Sequence, residues 1–377
     1  MRLIHLVHGN SMGGAQRYAL DVCRHYASTG HDVCAMTRDA RAVDDPFAEA
    51  GIPLLHAPLR DYPDFFSSVI LKRELQASPR GETVVHVHRY RDALTAILAR
   101  KMARRPDVRI VITRHISEPG IDNPLRRCIY RRVDAHIFVS EFARREFLST
   151  WPEGRYPFDP ARMHVAYNSR NISGAPTPEP ARGAITAMYH GTLRPGKGLS
   201  TLIRSMALTR PSRMRLRIAG QGDPGYCDEL RRLAISLGVM DSIDWVRDAA
   251  DPATLIPTCH FGVLPSREPE AFGMANLEYM ATGRPQICTF NGAQPEYLTP
   301  GVEALRVEPD DPEALAEAML RLAADPALRR SMGAAAARRY TESLAWDSFI
   351  VRLDAIYGLT REAPAPTKHA TPNTIPS

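Results

Sequence analysis

Short, nearly unbroken apolar runs recur along this chain, and stretches with helical spacing separate most of them. Residues 3–7, 32–36, 84–87, 110–113 and 135–139 read as strands in the first half, with helices at 14–28, 93–103 and 141–148. A sheet with one wet face would alternate apolar and polar residues. Uninterrupted apolar strands separated by helices imply instead a parallel sheet covered on both faces. The pattern breaks at residues 172–183, a Pro- and Gly-rich stretch, and then restarts. Strands fit at 185–189, 216–219, 242–246, 261–264, 286–289 and 304–307, and helices at 198–207, 226–237, 274–282, 312–324, 327–343 and 346–357. This predicts an α/β chain of two Rossmann-like, doubly wound domains facing a central cleft. Residues 1–171 form the first, 172–184 the linker and 185–345 the second, with ligands at the carboxyl ends of the strands. The Pro- and Thr-rich residues 359–377 read as a disordered tail.

Length and composition agree with this division. A chain of 377 residues with 44 % hydrophobic content suffices for two cores. No apolar run approaches the ~18 residues needed to span a bilayer, and the N-terminus reads as a first strand, not a signal peptide. The six cysteines show no metal-like spacing, so reduced thiols in a cytoplasmic protein are expected. Charge is uneven. Residues 1–171 hold 26 Lys and Arg against 19 Asp and Glu; the remainder holds 22 against 23. Basic pairs stand at Arg100-Lys101, Arg104-Arg105, Arg126-Arg127, Arg131-Arg132 and Arg144-Arg145. A basic half suits an anionic partner, either a lipid-linked acceptor or the membrane surface. Solvated helix faces are the plain alternative. No aromatic-interleaved motif points to nucleic acid.

The most informative segment follows the strand at 261–264. Pro265 to Glu270 is turn chemistry, residues 274–282 read as a helix, and Gly283-Arg-Pro285 stops it. A helix N-terminus offers free backbone N–H groups to an anion, here those of Met274, Ala275 and Asn276, and Gly273 allows close approach. Glu270 lies before the helix and Glu278 more than a turn inside it, so the two carboxylates can hold two ends of one phosphate-containing ligand. Taken alone, two glutamates at this spacing are usually ordinary surface residues. Their surroundings reverse that. Pro265-Ser266, Glu270-Ala-Phe-Gly273, Leu277-Glu278-Tyr-Met-Ala281 and Gly283-Arg-Pro285 resemble, in order and spacing over about 20 residues, the nucleotide-sugar signature of retaining glycosyltransferases of family 4 (glycosyl transferases group 1), which have the GT-B fold.

The resemblance extends to other segments. Gly191-Thr-Leu-Arg-Pro-Gly-Lys-Gly198 is similar to the family's phosphate-binding segment, with Lys197 as the diphosphate cation. A lysine between glycines at a helix start is a compact charge well placed for phosphate. Many relatives carry arginine directly after the first glycine, where this chain has Thr192; Arg194 is the candidate replacement. Gly13-Gly14 resembles the N-terminal glycine loop that brings backbone and substrate together across the cleft, and it is not a dinucleotide fingerprint. Gly220-Gln-Gly222, Asn168 and Ser169 match segments read as structural. His115 falls where the family places a histidine against the donor sugar, and His88 is an acceptor-side candidate. Lone histidines at strand ends are otherwise most often structural.

The resemblance therefore implies a transferase in which the second domain holds a nucleoside-diphosphate sugar and the first a hydroxyl acceptor. Glu278 takes the ribose hydroxyls and Glu270 those of the transferred sugar. Lys197, Arg194 and the amides after Gly273 stabilise the leaving diphosphate. Neither a metal nor a cofactor is expected, since these cations substitute for one. Residues 346–358 are expected to cross back to the first domain. The reaction fits cell-surface polysaccharide, lipopolysaccharide or glycolipid biosynthesis, with peripheral attachment to the inner face of the membrane. The alternatives are a nucleotide-sugar epimerase of the same fold, a transferase for a small soluble acceptor, and a non-catalytic binder.

Overall fold

The computed structural model describes residues 1–60, 64–172, 176–181, 183–247 and 251–359. Residues 173–175 and 182 of the linker, and 360–377 of the tail, lie outside the described residues. The first half builds strands β1 (Arg2–Leu6), β2 (Asp32–Thr37), β3 (Leu54–His56), β4 (Thr83–Val87), β5 (Arg109–Arg114), β6 (Ala135–Phe138) and β7 (Met163–Val165). They pair in the order β3-β2-β1-β4-β5-β6-β7, all parallel. The second half builds β8 (Thr186–His190), β9 (Arg215–Ala219), β10 (Ile243–Val246), β11 (Phe261–Leu264), β12 (Gln286–Thr289) and β13 (Ala304–Val307), again parallel, in the order β10-β9-β8-β11-β12-β13. Both sheets are doubly wound, and their strand order reverses between β1 and β4 and between β8 and β11. Crevices open at such switch points. The loops after β1, β8 and β11, which carry Gly13-Gly14, the Lys197 segment and Glu270, leave the sheets there.

The first sheet has two strands beyond the five its sequence suggests. β3 and β7 are three residues each and only part-buried. Three residues cannot display a period, and an edge position removes the need for an apolar run. Helices Arg41–Glu49, Phe65–Ala77 and Pro124–Arg132 were likewise not apparent from the pattern. The predicted helix at 327–343 is two elements. Pro326–Arg339 is α-helical, and the wider turn Tyr340–Leu344 leads the chain back to the first domain.

The Trp346–Tyr357 helix packs into the first domain's core. Trp346, Phe349, Ile350, Leu353, Ile356 and Tyr357 join a buried cluster with Leu3, Tyr18, Val22, Tyr26 and Val111. Polar contacts fix it there: the Tyr26 hydroxyl donates to Asp354 at 2.7 Å, and His86 Nδ1 lies 2.5 Å from the Tyr357 hydroxyl. The linker is clasped to the second domain by Arg284. This guanidinium is 1 % exposed and donates to the carbonyls of Cys259, Thr177 and Pro178. Val139 and Ala143 of the first domain join the second domain's core cluster. Glu296 of the second domain accepts from the backbone N–H groups of Glu141 and Phe142, at the start of the Glu141–Leu148 helix, an anion at the positive end of a helix dipole.

Several arginines in the basic pairs hold the fold together. Arg105, 4 % exposed, donates to Leu75, Ser78, Pro79 and Asp107. It cannot serve a surface without unfolding its neighbourhood. Arg100 pairs with Asp134, and Arg127 with Asp122. Charge in the first half thus overstates what is free for a partner. The six cysteines are unpaired thiols, and among the described residues no helix is long and apolar enough to cross a membrane.

Candidate active site

Close approach governs the second-domain side of the cleft. Gly198, at φ +69°, packs so tightly that an added Cβ would fall 1.9 Å from the Pro265 carbonyl. The Lys197 turn is thereby pressed against the β11 loop, and Lys197 Nζ lies 2.6 Å from Glu270 Oε1. Ser266 Oγ also donates to that oxygen. An ammonium has three donors, and this contact is the only one Lys197 makes among the described residues. Both side chains keep about a fifth of their surface open to solvent, 20 % for Lys197 and 18 % for Glu270. Gly273, at φ +89°, caps the Met274–Ala281 helix, where a left-handed residue without Cβ is required. From the other domain, Gly14 faces this helix start: a Cβ at Gly14 would stand 3.8 Å from Met274 Cγ. Gly13 donates its N–H to Gln16 Oε1, and Gln16 reaches back to the His8 carbonyl.

Other residues are placed less directly. Arg194 turns outward onto Glu268, and Thr192 is exposed. Ala275 sits beside Met274 in the first turn. Asn276 is buried, its side-chain amide donating to Gln286 Oε1 at 2.8 Å, so only its backbone faces the helix entrance. Glu278 is buried too. Oε1 accepts from Arg170 at 2.7 Å and Oε2 lies 2.6 Å from His190 Nε2. Burial alone would push this carboxyl up; His190 and Arg170 outweigh it and hold it down at about 2. A carboxylate offers about four lone-pair sites, so two remain for a ligand.

Arg170 is the hub that the sequence did not reveal. It bonds Asp21 of the first domain at 3.1 Å, and Asp251 at 3.0 Å and Glu278 of the second. Burial works against its charge, but the three carboxylates outweigh that and raise its pKa. Ser169 donates to the Leu344 carbonyl and Tyr340 to that of Arg170, pinning the crossing point. We expect Arg170→Met to destabilise the protein by about 3–5 kcal/mol, because Asp21 and Glu278 would remain buried without their cation. Denaturant titration checks this; a change under about 1 kcal/mol would contradict the hub.

On the first-domain side, imidazoles form a file. His5 Nδ1 lies 3.1 Å from His88 Nε2, and His88 Nδ1 lies 3.0 Å from His115 Nε2. Burial drives His5 down to about 3 and His115 to about 4, and lowers His88 well below the usual range, so all three are neutral near pH 7. His5 Nε2 is buried with no partner among the described residues. A buried N–H left unpaired is the rarer and costlier defect, so that nitrogen carries the lone pair. His5 Nδ1–H then donates to His88, and His88 Nδ1–H to His115. His115 is left with Nδ1–H, a donor rather than an acceptor. His115 and His88 both line a cavity of about 370 Å³ at the carboxyl ends of β4 and β5. Among the described residues, Asp39, Asp44 and His56 have ligand atoms within 4.8 Å of one another. They lie on the β2–β3 edge, apart from the Lys197–Glu270 pair.

Two doubly wound parallel domains with facing switch points, a cation–carboxylate pair at a helix entrance and a cavity of about 370 Å³ in the first domain are the architecture of the GT-B fold. Structural likeness agrees. HepE of Anabaena, whose structure holds UDP and glucose, superposes with a TM-score of 0.80 at 16 % identity, over 96 % of this chain and 100 % of that one. A glycosyltransferase of Rickettsia africae gives 0.79 at 18 %, over 96 % and 99 %. Residues 12–173 match glycosyltransferase family 4, and residues 178–339 match glycosyl transferases group 1. A D-inositol 3-phosphate glycosyltransferase of Acidothermus cellulolyticus is 27 % identical over 97 % of this chain and 89 % of its own. A GDP-mannose-dependent α-(1-6)-phosphatidylinositol monomannoside mannosyltransferase of Mycolicibacterium smegmatis is 28 % identical over 72 % and 75 %. The chain belongs to the family 4, group 1 glycosyltransferases and is an enzyme of the hexosyltransferase class.

Proposed function

We propose that this enzyme moves a sugar, with retention, from a nucleoside-diphosphate sugar to a hydroxyl of an acceptor held by the first domain. The observation that carries this is the Lys197–Glu270 contact at the entrance of the Met274–Ala281 helix, facing Gly14 across the cleft. Lys197 has two N–H donors left for diphosphate oxygens, and the helix-start amides point the same way. Glu270 accepts from hydroxyls of the transferred sugar, and Glu278 uses its remaining lone pairs for the ribose diol. His115 donates to a sugar hydroxyl. The bond from the anomeric carbon to the diphosphate breaks, the acceptor oxygen bonds to that carbon, and its proton passes to the leaving diphosphate. Lys197 stabilises the charge that grows on the leaving group. The UDP and glucose in HepE and the GDP-mannose dependence of the mycobacterial mannosyltransferase support a nucleotide-sugar donor. The cavity opposite the donor side favours transfer over epimerisation, which needs no acceptor. Glycolipid or cell-surface glycan assembly at the inner membrane face is the setting proposed, and the phosphatidylinositol monomannoside named for the mycobacterial relative is in keeping with a glycolipid acceptor.

A panel of UDP-, GDP-, ADP- and dTDP-sugars, read by thermal shift and by slow hydrolysis, tests the donor. At least one should stabilise the protein, and silence across the panel would remove this reading. No metal is assigned to the reaction, so turnover should survive EDTA. Loss that only Mg²⁺ or Mn²⁺ reverses would contradict the role given to Lys197.

A further inference from the structure

The first-domain cavity is unusually cationic for a pocket meant only for a neutral sugar. Its lining includes Arg89, Arg91, Arg114 and Arg126 against one carboxylate, Glu118. Arg89 is neutralised by Asp92 through two bonds of 2.7 and 3.0 Å. Arg114 is different. It is 9 % exposed and makes no salt bridge among the described residues. One Nη donates to the Glu118 backbone carbonyl at 2.6 Å, and its Nε–H is buried without a partner. Its guanidinium carbon stands 4.9 Å from the Phe147 ring centre and 5.7 Å from that of Tyr90. Arg126 lies against the same Tyr90 ring at 5.6 Å. Burial depresses the Arg114 pKa, and the Arg126 guanidinium held on the same ring adds a smaller repulsion of the same sign. An anion between them would offset both charges and reach the Arg114 donors left open. Arginine forks match the oxygens of a phosphate better than those of a neutral hydroxyl.

We propose that this cavity binds a phosphate ester carried by the acceptor, with Arg114 and Arg126 taking its oxygens. The inference rests on the transferase reading above and names the acceptor class for it. The phosphate can belong to a soluble polyol or to a lipid headgroup; Ile116 and Ile121, which line the cavity at 49 % and 50 % exposed, give its mouth an apolar rim.

The test uses the full chain and two matched pairs of probes. Glycerol 3-phosphate is compared with glycerol by calorimetry, and phosphatidic acid with diacylglycerol in the same nonionic micelles. In at least one arm the phosphate form should bind about tenfold tighter or better. The arm that responds identifies the source. Arg126→Gln, at a half-buried site, should remove most of that preference, and Arg114→Gln should do the same if it folds. Lys197→Ala should leave it intact. Equal binding with and without phosphate in both arms overturns the proposal. So does a preference that survives Arg126→Gln but vanishes in Lys197→Ala, which would put the anion on the donor side. A positive nucleotide-sugar panel with both phosphate arms blank would sink this inference alone.

Discussion

Replacing Lys197 with alanine is expected to lower kcat by about 10²–10³-fold while changing the donor KM far less. A charge aimed at a leaving group matters most when negative charge develops there, and losing one such donor typically costs that much. Lys197 has a counter-charge in Glu270 at 2.6 Å. The diphosphate must compete for it, so ground-state affinity is only partly its work. Both side chains reach solvent, so the variant should fold. Glu270→Gln keeps the shape and removes the charge; it should also slow turnover, by weakening the grip on sugar hydroxyls. Because the pair acts as a unit, the double variant should lose less than the two single losses combined. Steady-state kinetics against the responding nucleotide-sugar decides this. A Lys197→Ala enzyme within threefold of the parent would take the lysine out of the chemistry.

Acid should open the first domain well before the second. His5, His86 and His136 are 0 %, 0 % and 1 % exposed and all lie in the first sheet. Burial holds His5 near 3 and His136 near 4, and His86 well below its ordinary value. In the unfolded chain they take up protons below about 6.5. Between pH 6.5 and 4 the unfolded state therefore binds more protons, and stability falls as pH falls. Three such groups give a slope of up to about 4 kcal/mol per pH unit, against a typical total of ~5–15 kcal/mol. The Glu278 carboxyl, held at about 2, adds a loss of the same sign below its unfolded value; Asp21, pushed up by burial despite Arg170, partly offsets it. Trp151 and Trp346 sit in first-domain clusters, while Trp245 packs on the second-domain core. A variant retaining only Trp245 should report a transition at lower pH than one retaining only Trp151. Coincident acid transitions would contradict the argument.

The fold was legible wherever a strand had to be buried on both faces, as at β4, β8 and β12. It was not legible at β3 and β7, whose edge positions relax that demand. Lys197, Glu270 and Gly273, which the structure brings to one helix entrance, also stood out, because they lie within short patterned segments. Arg170 and Arg114 did not. Arg170 meets Glu278 across 108 positions of sequence, and nothing around it differs from any other surface arginine. Arg114 ends a strand and looks like a solvated charge; only the packing of Tyr90 and Phe147 shows it enclosed. Asn276 offers only its backbone to the helix entrance, since its side chain donates to Gln286.

The return of the Trp346–Tyr357 helix to the first domain has a consequence for how the protein is made. Strands β1 to β7 leave the ribosome early, yet the wall against Tyr18, Val22 and Tyr26 must wait for the residues from Trp346 onward. The second domain, contiguous from β8 to Arg339, can complete itself first, so maturation runs against the order of synthesis. Until the returning helix docks, a greasy seam stays open on the half that emerged first. That interval is when a nascent chain invites chaperones or self-association, and any stop codon before Trp346 would make the interval permanent.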